Sequence, residues 1–226
     1  MLWRRFMKRL YNFKGKILFL VNRQYRDVTR KNNSLSLKPE TKSSGIFITF
    51  ATEFKTKNMQ PLVSIIMGST SDLPVMEAAC KFFDSQEIPF EMLALSAHRT
   101  PDEVAEYAKN AHQRGIKVII AGAGMAAHLP GVIAAMTPLP VIGVPIKSSL
   151  EGMDAALAML QMPPGIPVAT VAINGAQNAA ILALQMLSVN NPEMLDKVLT
   201  FKQNLKQKIV KANADLSEIS YKFKTN

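Results

Sequence analysis

The densest chemistry in the chain lies in six consecutive residues, Ser96-Ala97-His98-Arg99-Thr100-Pro101. An imidazole titrates close to neutral pH, so His98 can both take and give a proton. Arg99 beside it supplies a permanent positive charge and a planar fork of donors suited to phosphate or carboxylate. A second stretch, Gly68-Ser69-Thr70-Ser71-Asp72, puts a tight-turn glycine ahead of hydroxyls and backbone N–H groups that can hold a phosphate. Asp72 would repel that phosphate, so it is better suited to accepting from ribose hydroxyls. A third stretch, Ala121-Gly122-Ala123-Gly124-Met125-Ala126-Ala127-His128-Leu129-Pro130-Gly131, is built mainly of small residues that let a backbone approach a ligand closely. Each stretch also has a plain reading. The first is a loop histidine with a surface arginine, and the second is a strand–helix turn with a Ser or Asp cap. In the third, His128 either touches a ligand or only orders its loop. His112 falls near a helix end and reads as solvated.

Other chemistries fit less well. The three histidines stand 14 and 16 residues apart, with no cysteine pair or carboxylate cluster beside them, so no metal is expected. The glycines of the third stretch do not make the dinucleotide fingerprint in its usual place after a first strand. No phosphate-binding lysine loop is present. A Ser–His–acid triad among Ser69, Ser71, His98 and Asp72 stays open, although no G-x-S-x-G elbow accompanies it. The single cysteine, Cys80, excludes an internal disulfide and reads as a core thiol on an apolar helix.

The elements that must position these residues form a repeating pattern. Leu62–Met67, Phe90–Leu95, Val118–Ala121, Val141–Val144 and Val168–Ile173 are short, nearly continuous apolar runs. Such runs fit strands of a parallel sheet covered on both faces. Between them lie helical segments. One starts with a cap-and-box pattern at Thr100-Pro101-Asp102-Glu103, and others run from about Leu150 to Leu160 and from Ala176 to Leu187. The alternation predicts a doubly wound, mostly parallel five-stranded α/β sheet, a three-layer sandwich of flavodoxin or Rossmann type. A further helix, Pro192 to about Ala212, adds no strand and is expected to pack on a neighbouring subunit. In such sheets ligands bind beyond the carboxyl ends of the strands. The first three strands end in the hydroxyl, His-Arg and Gly/Ala stretches. Gly143-Val144-Pro145 and Asn174-Gly175-Ala176-Gln177-Asn178 read as turns after the fourth and fifth.

Charge divides the chain near Met59. Of 27 Lys and Arg, 14 lie within residues 1–60 beside three acids, Asp27, Glu40 and Glu53. The remainder carries 13 basic and 14 acidic residues and is nearly neutral. Residues 1–58 are therefore expected to be a poorly structured basic extension, and residues 59–226 the catalytic domain. The apolar run Ile17–Val21 is too short to span a bilayer. Three readings of the extension stay open: a dispensable start with Met59 as the natural first residue, a transit peptide, and a basic arm. A nucleic-acid-binding role would rest on this segment alone, so no nucleic-acid or membrane partner is expected, and the location expected is the cytoplasm.

Taken together, the motifs resemble those of the N5-carboxyaminoimidazole ribonucleotide mutase family. Besides the three stretches above, Leu139-Pro140-Val141-Ile142-Gly143-Val144-Pro145 and Gln161-Met162-Pro163 with Gly165-Ile166-Pro167-Val168 follow in family order, and the resemblance covers about residues 61–210. It implies reversible transfer of a carboxyl group from the exocyclic nitrogen of an aminoimidazole ribonucleotide to the neighbouring ring carbon, through carbon dioxide held in the pocket. It implies His98 as the proton carrier, and Ser69, Ser71, Asp72 and Arg99 on phosphate and ribose. Ser96, Ala97 and the loop with Gly124, Ala127, His128 and Leu129 would line the base and carboxyl pocket. It further implies no metal or organic cofactor and a homo-octamer with sites at subunit contacts. The Ile173–Asn178 loop looks shorter than in many members. The nearest rival is the related carboxylase that takes free carbon dioxide, in which Lys follows the catalytic histidine where Arg99 stands here. A carboxylating relative acting on another mononucleotide is a second rival.

Overall fold

The computed structural model describes residues 59–226. The expectations for residues 1–58 lie outside the described residues. Five strands, β1 (Val63–Met67), β2 (Phe90–Ala94), β3 (Val118–Gly124), β4 (Val141–Ile146) and β5 (Ala169–Thr170), pair in the order β2-β1-β3-β4-β5. Every pairing is parallel. The helices are α1 (Leu73–Ser85), α2 (Pro101–Asn110), α3 (Leu129–Met136), α4 (Met153–Leu160), α5 (Ala176–Ser188) and α6 (Pro192–Glu218).

The apolar runs have two covered faces to fill. Val63, Ile65 and Met67 of β1, Val118 and Ile120 of β3, and Ile142, Val144 and Ile146 of β4 belong to one core with α1, α5 and the start of α6. Ile66, Ile119, Ala121, Ala123 and Val141 belong to a second core with α2, α3 and α4. Period-two alternation thus sends each strand's side chains into two apolar layers, which is why these strands read as unbroken apolar runs. Gly122 lets α1 lie close to β3: a Cβ there would sit 2.5 Å from Met76 Sδ.

Several boundaries differ from the sequence reading. β3 and β4 run further, to Gly124 and Ile146, so Pro145 is part of a strand and not of a turn. β5 pairs only opposite Ile142 and Gly143, so the missing Pro145 N–H faces a side where the β5 ladder has already ended. There the Pro145 carbonyl accepts from Asn174 N–H at 2.8 Å. β5 is two residues long, against the six expected. The fourth helix starts at Met153 because Leu150 and Glu151 take positive φ (44° and 56°) and Gly152 (86°) precedes the first turn. The last helix continues to Glu218, past Ala212. Thr100 stands ahead of α2 but makes no side-chain cap. A capping box forms instead at Ser69 and Asp72.

Candidate active site

The register brings four strand ends level. Met67 pairs with Ala94 and Gly122, and Gly124 pairs with Ile146, so the loops that follow open on one edge of the sheet. In the order 2-1-3-4-5 the winding direction reverses between β1 and β3, and a crevice must form there. A cavity of about 650 Å³ lies at this edge.

From β1 the cavity takes Gly68, Ser69, Ser71 and Asp72. The Asp72 carboxylate accepts from Ser69 N–H at 3.2 Å, and the Ser69 hydroxyl accepts from Ser71 N–H at 3.3 Å. Burial pushes the Asp72 carboxyl above its ordinary 3.8, opposed by the Ser69 N–H, the Arg99 charge and the Gly68 N–H. From β2 come Ser96, Ala97, His98 and Arg99. Their loop is closed by Thr100, whose hydroxyl accepts from Ser96 N–H at 2.9 Å and whose N–H donates to Ser96 O at 2.9 Å. The threonine expected to cap α2 thus shapes the loop that carries His98. Arg99 donates through Nη2 to the Gly68 carbonyl and through Nε to Ser96 Oγ at 3.3 Å. It therefore ties the β1 and β2 loops together.

From β3 the cavity takes Ala123, Gly124, Met125 and Ala126, and from the start of α3 Leu129. Met125 has φ 54°, a left-handed conformation that costs a side-chain-bearing residue energy. Ala127 does not line the cavity; it is buried in the second core. His128 is not part of the lining either, but its Nδ1 lies 2.8 Å from His98 Nε2, with the rings at 88°. Of its two open readings, the structure brings it to another loop's histidine.

The sequence reading missed Ile146, Lys147 and Ser148, which form the β4 side of the cavity. Reading Pro145 as a turn places the strand end too early, since β4 runs to Ile146. A lysine following an unbroken apolar run was the signal that could have found them. Lys147 pairs with Glu151, and its N–H donates to Asn174 Oδ1 at 2.9 Å. The Asn174–Asn178 loop is outside the lining and acts on it through that bond. Cys80 lies away from the cavity and is half-buried against the first core, not inside it; burial and then the Asp84 charge push its thiol up from 9.0. Among the described residues no group of three or more His, Cys, Asp or Glu could hold a metal ion.

A cavity with hydroxyls, an acid and an arginine at one end, and a histidine bridging to a small-residue loop, suits a phosphorylated substrate and proton transfer. Comparison with known proteins identifies the lineage. The family model described as AIR carboxylase matches residues 62–208. The chain belongs to the AIR carboxylase family. Every cavity-lining residue falls inside the matched range. N5-carboxyaminoimidazole ribonucleotide mutase of Synechocystis is 53% identical over 163 residues, 72% of this chain and 93% of that protein. The same-named protein of Pyrococcus abyssi is 59% identical over 148 residues, 65% of this chain and 85% of that protein. Phosphoribosylaminoimidazole carboxylase of Candida glabrata is 55% identical over 163 residues, but these make up only 29% of the fungal protein. The crystal structure of Treponema denticola PurE superposes with TM-score 0.64 at 31% identity, covering 69% of this chain and 98% of that chain. AIR carboxylase family membership accounts for the five-stranded parallel architecture and for the single edge at which the motifs meet. Among the described residues no helix is long and apolar enough to cross a membrane.

Proposed function

We propose that the chain is an isomerase of purine biosynthesis that interconverts N5-carboxyaminoimidazole ribonucleotide and 4-carboxy-5-aminoimidazole ribonucleotide. The observation that carries the reading is the place of His98. It stands on the β2 loop beside Arg99 and reaches across to the β3 loop, so a substrate anchored at one end presents its ring to the imidazole. Ser69, Ser71 and Arg99 hold the phosphate and Asp72 accepts from ribose. Ser96, Ala97 and the Gly124–Leu129 segment enclose the base and carboxyl group, Ala127 by packing beneath the loop. The reaction needs no metal or organic cofactor.

The proton balance fits one histidine. In the first step the bond between the exocyclic nitrogen and the carboxyl carbon breaks. Its electron pair stays on nitrogen, which takes a proton from the His98 imidazolium, and carbon dioxide is released into the cavity. In the second step the enamine-like ring carbon attacks carbon dioxide, and neutral His98 removes the proton from that carbon. One proton is given and one is recovered, so the enzyme returns to its starting state. Holding carbon dioxide in the cavity between the two steps would serve this sequence.

The chain is read further as a cytoplasmic homo-octamer, supported by the exposed apolar positions of α6: Leu205 is 45%, Ile209 72% and Leu216 58% exposed. The free-carbon-dioxide carboxylase reading is less favoured, because the relatives matched over nearly their whole length carry the mutase name. The test supplies the N5-carboxylated nucleotide in ¹³C-bicarbonate buffer. The mutase reading expects 4-carboxy product carrying mainly the substrate's unlabelled carboxyl carbon. Product formed only from the uncarboxylated nucleotide, and carrying label, would replace it with the carboxylase reading.

A further inference from the structure

The reaction proposed above requires His98 to alternate between imidazolium and imidazole, and its one ring contact decides which nitrogen does the work. His98 Nε2 and His128 Nδ1 lie 2.8 Å apart, so a single proton sits between them. Suppose that proton belonged to His128. When His98 then took a proton from substrate, its Nε2–H would face the Nδ1–H of His128, and the bond would break in every cycle. If the proton belongs to His98 Nε2, the bond survives in both states. It is then strongest when His98 is charged.

Both rings are held from their backbones. His128 N–H donates to Ala126 O at 2.7 Å, His128 O accepts from Val132 N–H at 2.9 Å, and the flanking Ala127 and Leu129 are 2% and 3% exposed. His98 rides on the Ser96–Thr100 loop, closed by the Thr100 bonds described above. The charged groups lining the same cavity are Asp72, Arg99 and Lys147.

We infer that His128 is a positioning residue: its Nδ1 accepts from His98 Nε2–H, fixing the tautomer that leaves His98 Nδ1 to exchange protons with the substrate. The amide of an asparagine reaches about where Nδ1 of a histidine lies, so Asn can replace the acceptor without titrating, whereas Leu cannot.

Two measurements test this on the full chain. In His128→Leu the turnover number should fall about 10- to 100-fold, the scale seen when a hydrogen-bond partner that orients a metal-bound imidazole is removed. KM should stay within about threefold. The basic limb of its pH–rate profile should move to lower pH, because the first step needs the His98 imidazolium and that imidazolium loses its acceptor. His128→Asn should recover most of the turnover and restore the limb. A leucine variant with parental turnover and profile would overturn the inference. An asparagine variant as slow as the leucine variant would overturn it too, by showing that His128 acts through its own titration. The second measurement needs no substrate. ¹⁵N NMR of labelled histidines should find His98 protonated at Nε2 in the parent and mixed between nitrogens in His128→Leu. A parent with His98 protonated at Nδ1 would contradict the tautomer. Failure of the mutase assay with the expected NMR result would fault the reaction and leave the pairing intact.

Discussion

At the scale of single residues, Arg99 joins two loops while presenting charge to the cavity. Its guanidinium reaches the Gly68 carbonyl and Ser96 Oγ, so removing it loosens the β1 and β2 loops and, on the function proposed above, also deletes the phosphate's counter-charge. Arg99→Ala should weaken binding of the 4-carboxy nucleotide by about 1.5–3 kcal/mol, read by calorimetry. Arg99→Lys should recover only part of this, because a lysine cannot reproduce the fork. Unchanged affinity in both would show that Arg99 is structural only. Residue chemistry of this kind was legible in the chain, since His98, Arg99, Ser69, Ser71 and Asp72 announce themselves by type. Their pairings were not. Asp72 bonds back to Ser69 N–H, Thr100 bonds to Ser96 instead of capping α2, and His128 meets His98 across 30 residues. Such contacts depend on loop conformations that residue type does not encode.

At the scale of elements, the apolar runs revealed the strands, because a sheet covered on both faces leaves few polar positions along them. What they could not reveal was where a strand stops pairing. β4 continues through Pro145 because β5 has ended beside it, a fact about the neighbour and not about β4 itself. Asn174 holds this corner, with φ 58° and its Oδ1 on Lys147 N–H. Asn174→Ala should cost about 1–2 kcal/mol by combining a left-handed penalty with a lost acceptor. Asn174→Gly should cost less, since it loses only the acceptor. Urea unfolding of the pair checks this, and equal losses would mean the backbone conformation is not under strain. The second element-level test concerns α2. Tyr107 donates to Glu91 at 3.4 Å, and burial pushes its phenol from 10.0 up to about 12. The unfolded chain therefore releases this proton first. The stabilisation is complete below pH 10, and it is lost as pH rises through 12. Tyr107→Phe should lose stability less steeply than the parent across that interval. Parallel curves would show that Tyr107 is not held in its protonated form.

At the scale of the whole molecule, α6 carries one apolar stripe with two fates. Met194 and Val198 are each 7% exposed against the first core, while Leu205, Ile209 and Leu216 on the same stripe stay open. If these positions join copies of the chain, replacing Leu205 and Ile209 together by Glu should lower the mass seen by light scattering at micromolar concentration. A parent that is monomeric there would contradict the octamer. The basic extension is a separate matter. Every cavity-lining residue lies between Gly68 and Ser148, and the family match begins at residue 62. A chain beginning at Met59 should therefore turn over as fast as the full chain and melt at the same temperature. A marked loss in either would make the extension part of the enzyme.

The most direct test of the account replaces His98 with asparagine, which keeps size and polarity and removes proton exchange. Turnover of the N5-carboxylated nucleotide should fall by at least the ~10²–10⁴-fold usual for a positioned acid–base group, with affinity for the 4-carboxy nucleotide largely retained. Turnover within threefold of the parent would contradict the central claim that His98 carries the proton.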